Sequence, residues 1–158
     1  MDRLIDNEKI YVTPAEVAED LPEAAEKFCV YSKESDSAVG NIGILRYDEW
    51  GLDGVIFFTA PEFRRNGFAA SAIHSLTRWY YDSRTADMLI AAVELENVPA
   101  IRTLERAGYE YIRSTKIQLE SDDEPRLYHL YVCTRSTADA GAPPKGCCCG
   151  CGGHTDNE

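Results

Sequence analysis

The chain has 158 residues, 44% of them hydrophobic, and a formal net charge of −11. That length fits one domain with a real core, and such an acidic field repels nucleic acid and anionic lipid while attracting amines and basic polypeptides. No apolar run approaches the roughly 18–20 residues that cross a bilayer, and the polar start from Met1 to Asn7 does not read as a secretory signal, so a cytoplasmic protein without membrane partners is expected.

Ile10-Tyr11-Val12 is a short strand. Thr13-Pro14-Ala15-Glu16 reads as a helix start, with Thr13 as N-cap, Pro14 in the first turn, Glu16 closing a capping box and Pro22 as the limit. Residues 27–33 alternate around Phe28, Val30 and Tyr31. Ser35-Asp36-Ser37 then turns the chain into a second strand, 38–47, to make a hairpin. After a turn at Trp50-Gly51, Val55-Ile56-Phe57-Phe58 is a continuous apolar run of the kind a buried strand carries. Pro61 ends it, and Gly67 opens a helix whose Ala69, Ala72, Ile73, Leu76 and Tyr80 share one face. Residues 88–93 form another buried strand. Asn97 caps a short helix with Pro99 in its first turn, Val98, Ile101 and Leu104 facing inward and Gly108 as terminator. Residues 109–119 and 126–134 alternate as two further strands across an acidic turn at 121–125. This order describes an α/β sheet with helices on its faces, in one domain spanning 1–136. Residues 137–158 are rich in Gly, Pro and Cys, cannot form a core, and are expected to be a flexible tail.

The stretch from Val55 to Ala70 runs strand, turn, helix entrance. A helix entrance has about four backbone N–H groups without partners and carries about half a positive charge, so it can hold an anion by backbone alone. Gly67 permits close approach, Ala69 and Ala70 leave the first turn unhindered, and Arg64 and Arg65 add charge. A pyrophosphate suits such a turn. No Gly-Lys-Ser/Thr follows and no Gly-x-Gly-x-x-Gly is present, which excludes a Walker loop and the dinucleotide fingerprint.

Arg64-x-x-Gly67-x-Ala69 has the form of the coenzyme A motif of the GNAT N-acetyltransferases. The later block, Asn97-Val98-Pro99-Ala100-Ile101-Arg102-Thr103-Leu104-Glu105-Arg106-Ala107-Gly108-Tyr109, resembles the second conserved block of that superfamily, in the wording of its ribosomal-protein-alanine acetyltransferase branch. The resemblance covers roughly residues 53–114. It implies a mixed sheet whose two central parallel strands, at 55–58 and 88–93, splay apart at their C-terminal ends, with helices on both faces. It implies acetyl-CoA as cosubstrate, held by Phe57, Phe58 and Thr59 along the pantetheine arm and by the amides of Arg65, Asn66, Gly67, Phe68, Ala69 and Ala70 at the pyrophosphate. Asn97 is then expected at the pantetheine or the reaction centre, besides capping its helix. The acceptor implied is a primary amine: a protein N-terminus, a lysine or a small molecule, acetylated by direct transfer in a monomer or homodimer.

Direct transfer needs a base for the amine proton. Glu94 and Glu96 end the 88–93 strand and alternate onto one face. Glu94 is the expected base, with Asp53 a weaker choice. Leu104 occupies the place where many relatives carry the tyrosine that protonates the leaving thiolate, so no general acid is assigned. Cys29 and Cys133 read as buried thiols and His74 as structural. Cys147, Cys148, Cys149 and Cys151 crowd into the tail with His154, but adjacent cysteines chelate a tetrahedral ion awkwardly, and no metal site is assigned. A second reading is a non-catalytic coenzyme A sensor whose cysteine tail responds to metal or redox state.

Overall fold

A computed structural model describes residues 3–15, 21, 24–118 and 122–135. Its elements are β1 (Ile5–Asp6), β2 (Ile10–Ala15), β3 (Glu26–Ser32), β4 (Ala38–Tyr47), β5 (Leu52–Thr59), a single 3-10 turn (Pro61–Phe63), α1 (Phe68–Ser83), β6 (Met88–Glu94), α2 (Val98–Arg106), β7 (Glu110–Ile117) and β8 (Arg126–Thr134). The eight strands form one sheet in the order β1-β2-β3-β4-β5-β6-β8-β7. Strands β1 to β5 follow one another as antiparallel neighbours. Then β5 and β6 run parallel, which requires a crossover longer than a hairpin turn, and α1 supplies it. No helix among the described residues is long and apolar enough to cross a membrane.

One expected element is replaced. Thr13, Pro14 and Ala15 do not begin a helix but continue β2, opposite Cys29, Phe28 and Lys27. A proline removes a ladder donor and belongs where one flank is free. Among the described residues β1 pairs only with Tyr11 and Val12 on the other side of β2, so no described strand is paired with Pro14 on that flank. The rest of the expected helix falls at 16–20, outside the described residues, as does the tail at 137–158.

The burial pattern follows the two periods. In β3 the alternate residues Phe28, Val30 and Ser32 are buried, as alternation across a sheet demands. In α1 the buried residues are Ala72, Ile73, Leu76, Thr77, Tyr80 and Tyr81, one stripe at helical spacing. Together with Leu104 of α2 and Ala107, its C-cap, this stripe closes over Ile42, Ile44, Val55, Leu89, Ala91 and Tyr131 of the sheet, whereas Val98, expected to face inward, is exposed because it stands at the first position of α2, before the helix reaches the core. Burying each such aliphatic side chain stabilises by about 1.5–3 kcal/mol. On the other face Leu45, Tyr47, Ile90, Ile117 and Tyr128 form a second cluster, and Leu21 and Ala24 a third against Ile56 and Phe58.

Polar groups inside this core are answered. Tyr109 shares a hydrogen bond with Thr77 at 2.7 Å, the Tyr80 hydroxyl donates to Asp53 at 2.7 Å, and Tyr81 donates to the Cys133 carbonyl. Burial, the largest cause in each case, raises the pKa of all three tyrosines. His74 is half-buried, bonds the Ala107 backbone and has its pKa lowered by desolvation, so it joins α1 to α2 as a neutral ring. Cys133 is buried, whereas Cys29 is only half-buried.

Candidate active site

The site begins where the sheet opens. β5 and β6 pair only at Asp53↔Leu89 and Gly54↔Ile90. Beyond that point β5 stays on β4 as far as Thr59↔Gly40, and β6 stays on β8 as far as Glu94↔Tyr128. Each strand keeps its outer neighbour and loses its inner one, so the middle of the sheet is a wedge with its apex at Gly54. A side chain there is excluded: a Cβ on Gly54 would lie 2.4 Å from the Tyr47 ring and 3.0 Å from the Ile90 carbonyl.

From the tip of β5 the chain makes the 3-10 turn and enters α1 through two left-handed residues, Arg65 at φ 67° and Gly67 at φ 79°. Gly67 is the N-cap and offers no side-chain cap. The first bond into the helix is from the Ser71 N–H to the Gly67 carbonyl, at 3.1 Å. The amides of Phe68, Ala69 and Ala70 therefore have no protein acceptor among the described residues, at the positive end of a 16-residue helix. Side chains pin the turn in this shape. Arg64 Nε donates to the Thr59 carbonyl at 2.8 Å with its guanidinium 5.6 Å from the Phe58 ring centroid. Asn66 Nδ2 donates to the carbonyls of Phe63 and Arg64 at 3.2 and 3.1 Å.

Wedge and helix entrance meet in a cavity of about 370 Å³ lined by Phe57, Phe58, Thr59, Arg64, Arg65, Ala69, Asn97, Pro99, Ala100 and Thr103. The first six of these, and Asn97, are residues expected from the sequence to bind a ligand. Asn66, Gly67, Phe68 and Ala70 belong to the same turn but do not form the cavity wall. The Asn66 side chain is spent on the turn, and Phe68 packs edge-on against Phe63 with ring centroids 6.2 Å apart.

The candidate chemical groups differ in placement. Asn97 Oδ1 accepts the Ala100 N–H at 3.3 Å, which caps α2, and the residue also lines the cavity. Glu94 ends β6 at the open mouth of the wedge. It alternates with Ile90 and Ala92, so it faces the side of the sheet away from α1 and α2. Its Oε2 pairs with Arg126 at 2.9 Å, and it is not among the cavity-lining residues. Asp53 sits at the closed apex with both oxygens engaged, by Tyr80 and by Arg46 at 3.0 Å. Leu104 is fully buried in the core.

One residue near the turn has no signal in the sequence. Lys9, in the β1–β2 turn, places Nζ 3.4 Å from where a Cβ of Gly67 would stand and 5.3 Å from the Phe68 ring centroid. A lysine between two short strands reads as a solvated turn residue, and nothing local ties it to a helix entrance so distant in the chain.

A parallel pair that splays at its carboxyl ends, beside an uncapped helix entrance, defines a mixed α/β sheet with an anion-suited turn at its centre. Residues 5–110 match the family profile described as an acetyltransferase (GNAT) domain: the chain belongs to the GNAT acetyltransferase family, whose members use acetyl-CoA. In sequence it is similar to the uncharacterised N-acetyltransferase YjdG of Bacillus subtilis strain 168, with 28% identity over 85 residues, 53% of this chain and 51% of that protein. The match thus spans about half the length of that curated relative. In structure it is similar to a GNAT-family acetyltransferase from Bacillus anthracis, with a TM-score of 0.68 at 15% identity over 84% of this chain and 98% of the other. It is also similar to the ribosomal-protein-S5-alanine acetyltransferase from Vibrio fischeri, with a TM-score of 0.63 at 12% identity over 82% and 95%. At such identities the two structures speak for the fold.

Proposed function

We propose that this chain is an acetyl-CoA-dependent N-acetyltransferase that moves an acetyl group directly to a primary amine. The observation that carries the reading is the wedge beyond Gly54, opening onto the free amides of Phe68, Ala69 and Ala70 with Arg64 and Arg65 beside them. The diphosphate of the cosubstrate sits on those amides. The pantetheine arm runs down the wedge and takes the place of the inner strand neighbour that β5 lacks, bonding backbone groups of Phe57 and Phe58 as an added strand does. The Thr59 carbonyl already accepts from Arg64, so Thr59 contributes through its remaining groups.

The reaction forms one bond and breaks one. The amine nitrogen attacks the thioester carbonyl and a tetrahedral oxyanion develops. The C–S bond then breaks, leaving the acetyl group on nitrogen and the electron pair on sulfur. Glu94 takes the amine proton through the oxygen that Arg126 does not hold, with the Arg126 pair fixing its orientation. Asn97, on the cavity wall, offers Nδ2 as a polar donor to this chemistry. No side-chain hydroxyl stands at Leu104 to protonate sulfur, but a thiol pKa of about 8.5 lets a thiolate leave near neutral pH.

The acceptor is a protein N-terminus, a lysine or a small amine, as the net charge of −11 favours. The likeness to a ribosomal-protein acetyltransferase supports a polypeptide N-terminus first. The test mixes the protein with acetyl-CoA and an amine panel that includes N-terminal peptides, and follows release of free thiol. Thiol release with acetylated amine supports the reading. Binding of acetyl-CoA without turnover on any amine overturns it in favour of a coenzyme A sensor.

A further inference from the structure

Three cations surround the entrance of α1. Arg64 and Arg65 line the cavity, and Lys9 reaches the same entrance from the β1–β2 turn, with Nζ 3.4 Å from the position of a Gly67 Cβ. Among the described residues none of the three has a carboxylate within ion-pair distance. A cation held against the positive end of a helix dipole is unfavourable unless an anion lies between them. In a chain of net charge −11, where carboxylates are plentiful, this concentration of positive charge is the more telling.

Lys9 is also held there. Asn7 Nδ2 donates to Ser71 Oγ at 3.2 Å and to Ser75 Oγ at 3.0 Å, which ties the β1–β2 turn to the first turns of α1. Asn7 Oδ1 accepts from the N–H groups of Lys9 and Ile10 at 2.7 and 2.9 Å, so the same side chain shapes the backbone that carries Lys9. The Phe68 ring, 5.3 Å from Nζ, supports the ammonium from beneath. These contacts orient the side chain before any ligand arrives.

We infer that Lys9 is a binding residue for the diphosphate of the cosubstrate, supplied from outside the helix-entrance motif and positioned by Asn7. The inference rests on the coenzyme reading above and adds a residue to it. Lys9 adds a cation beside Gly67 to the cavity-lining arginines and turns an open row of amides into a charge-complemented anion site.

The test is calorimetric titration of the full chain with coenzyme A and with dephospho-coenzyme A, which keeps the diphosphate and lacks the 3′-phosphate. Lys9→Met is expected to weaken both ligands by about tenfold, the size of a charge-assisted hydrogen bond, to lower the salt dependence of binding, and to leave the melting temperature of the free protein unchanged. Lys9→Arg is expected to restore most of the affinity. Wild-type binding with no loss in Lys9→Met overturns the role of Lys9 and leaves the coenzyme reading intact, as does a loss confined to coenzyme A, which places Lys9 on the 3′-phosphate. A loss accompanied by a lower melting temperature and no rescue by arginine also overturns it, as a structural effect. Absence of wild-type binding to either ligand overturns the coenzyme reading itself.

Discussion

Gly67 is held at φ 79°, where an L side chain is strained by about 1–3 kcal/mol and a β-branched one by more. A Cβ would meet Lys9 Nζ at van der Waals distance, 3.4 Å. Gly67→Val is therefore expected to reshape the helix entrance and to reduce acetyl-CoA affinity by at least tenfold, measured by calorimetry, with the far-UV helix signal retained. Glu94 stands apart from the cavity wall, so Glu94→Gln should leave that affinity unchanged while lowering kcat by about a hundredfold; an unchanged kcat removes Glu94 as base. At this scale the motif residues were legible because the chemistry of the turn is local: a glycine, two small residues and two arginines within one stretch. Placement was not. Nothing in the alternation of Ala91 to Glu96 foretells that Arg126 occupies one Glu94 oxygen, or that Asp53 lies at the closed apex. Lys9 reaches the site only through folding.

Among the elements, the return of the chain after β8 carries an energetic burden out of proportion to its size. Arg135 donates from Nε and Nη2 to the Ala86 carbonyl and from Nη1 to the Tyr81 carbonyl, and also bonds the Arg84 carbonyl. These groups belong to the last turn of α1 and the loop into β6, where helix carbonyls lack intrahelical partners. Arg135→Ala leaves them unanswered and is expected to destabilise by about 2–3 kcal/mol, seen as a fall of several degrees in melting temperature. The element pattern was read well where a period was clean, as in α1 and β3. It failed at Thr13-Pro14, where local capping chemistry favours a helix but pairing of β2 with β3 through Ala15 wins. β1, with two residues, is too short to show any period.

At the scale of the molecule, the buried titratable groups set a pH limit. Burial pushes the Cys133 thiol from its ordinary 9.0 up to about 11. Burial and the hydrogen bond to Asp122 push the Tyr128 hydroxyl from 10.0 up to about 12. Both groups are neutral below their unfolded pKa, where the native state keeps its full stability. Above it the unfolded chain loses protons that the native state retains, so stability falls as pH rises. Denaturant midpoints are expected to be level up to about pH 9 and to decline between there and about pH 12; a flat profile across that window would contradict the burial of these groups. The general architecture was legible because strand and helix periods are written along the chain and two motifs fix their order. The apex of the wedge was not, since where β5 and β6 part depends on how tightly Gly54 lets them close against Tyr47 and Ile90.

That parting has a mechanical consequence. A sheet normally hides its dangling amides and carbonyls at the outermost strands, yet here a pair of such rims lies at the centre, and only two rungs, Asp53↔Leu89 and Gly54↔Ile90, fasten one half of the protein to the other directly. The two halves of the sheet are thus joined by few backbone rungs and otherwise by side chains: by α1 with the core beneath it, and on the other face by Leu45 and Tyr47 against Ile90, Ile117 and Tyr128. A guest that bridges the rims acts as a rivet: its hold on the native state adds to folding stability in proportion to the logarithm of its concentration.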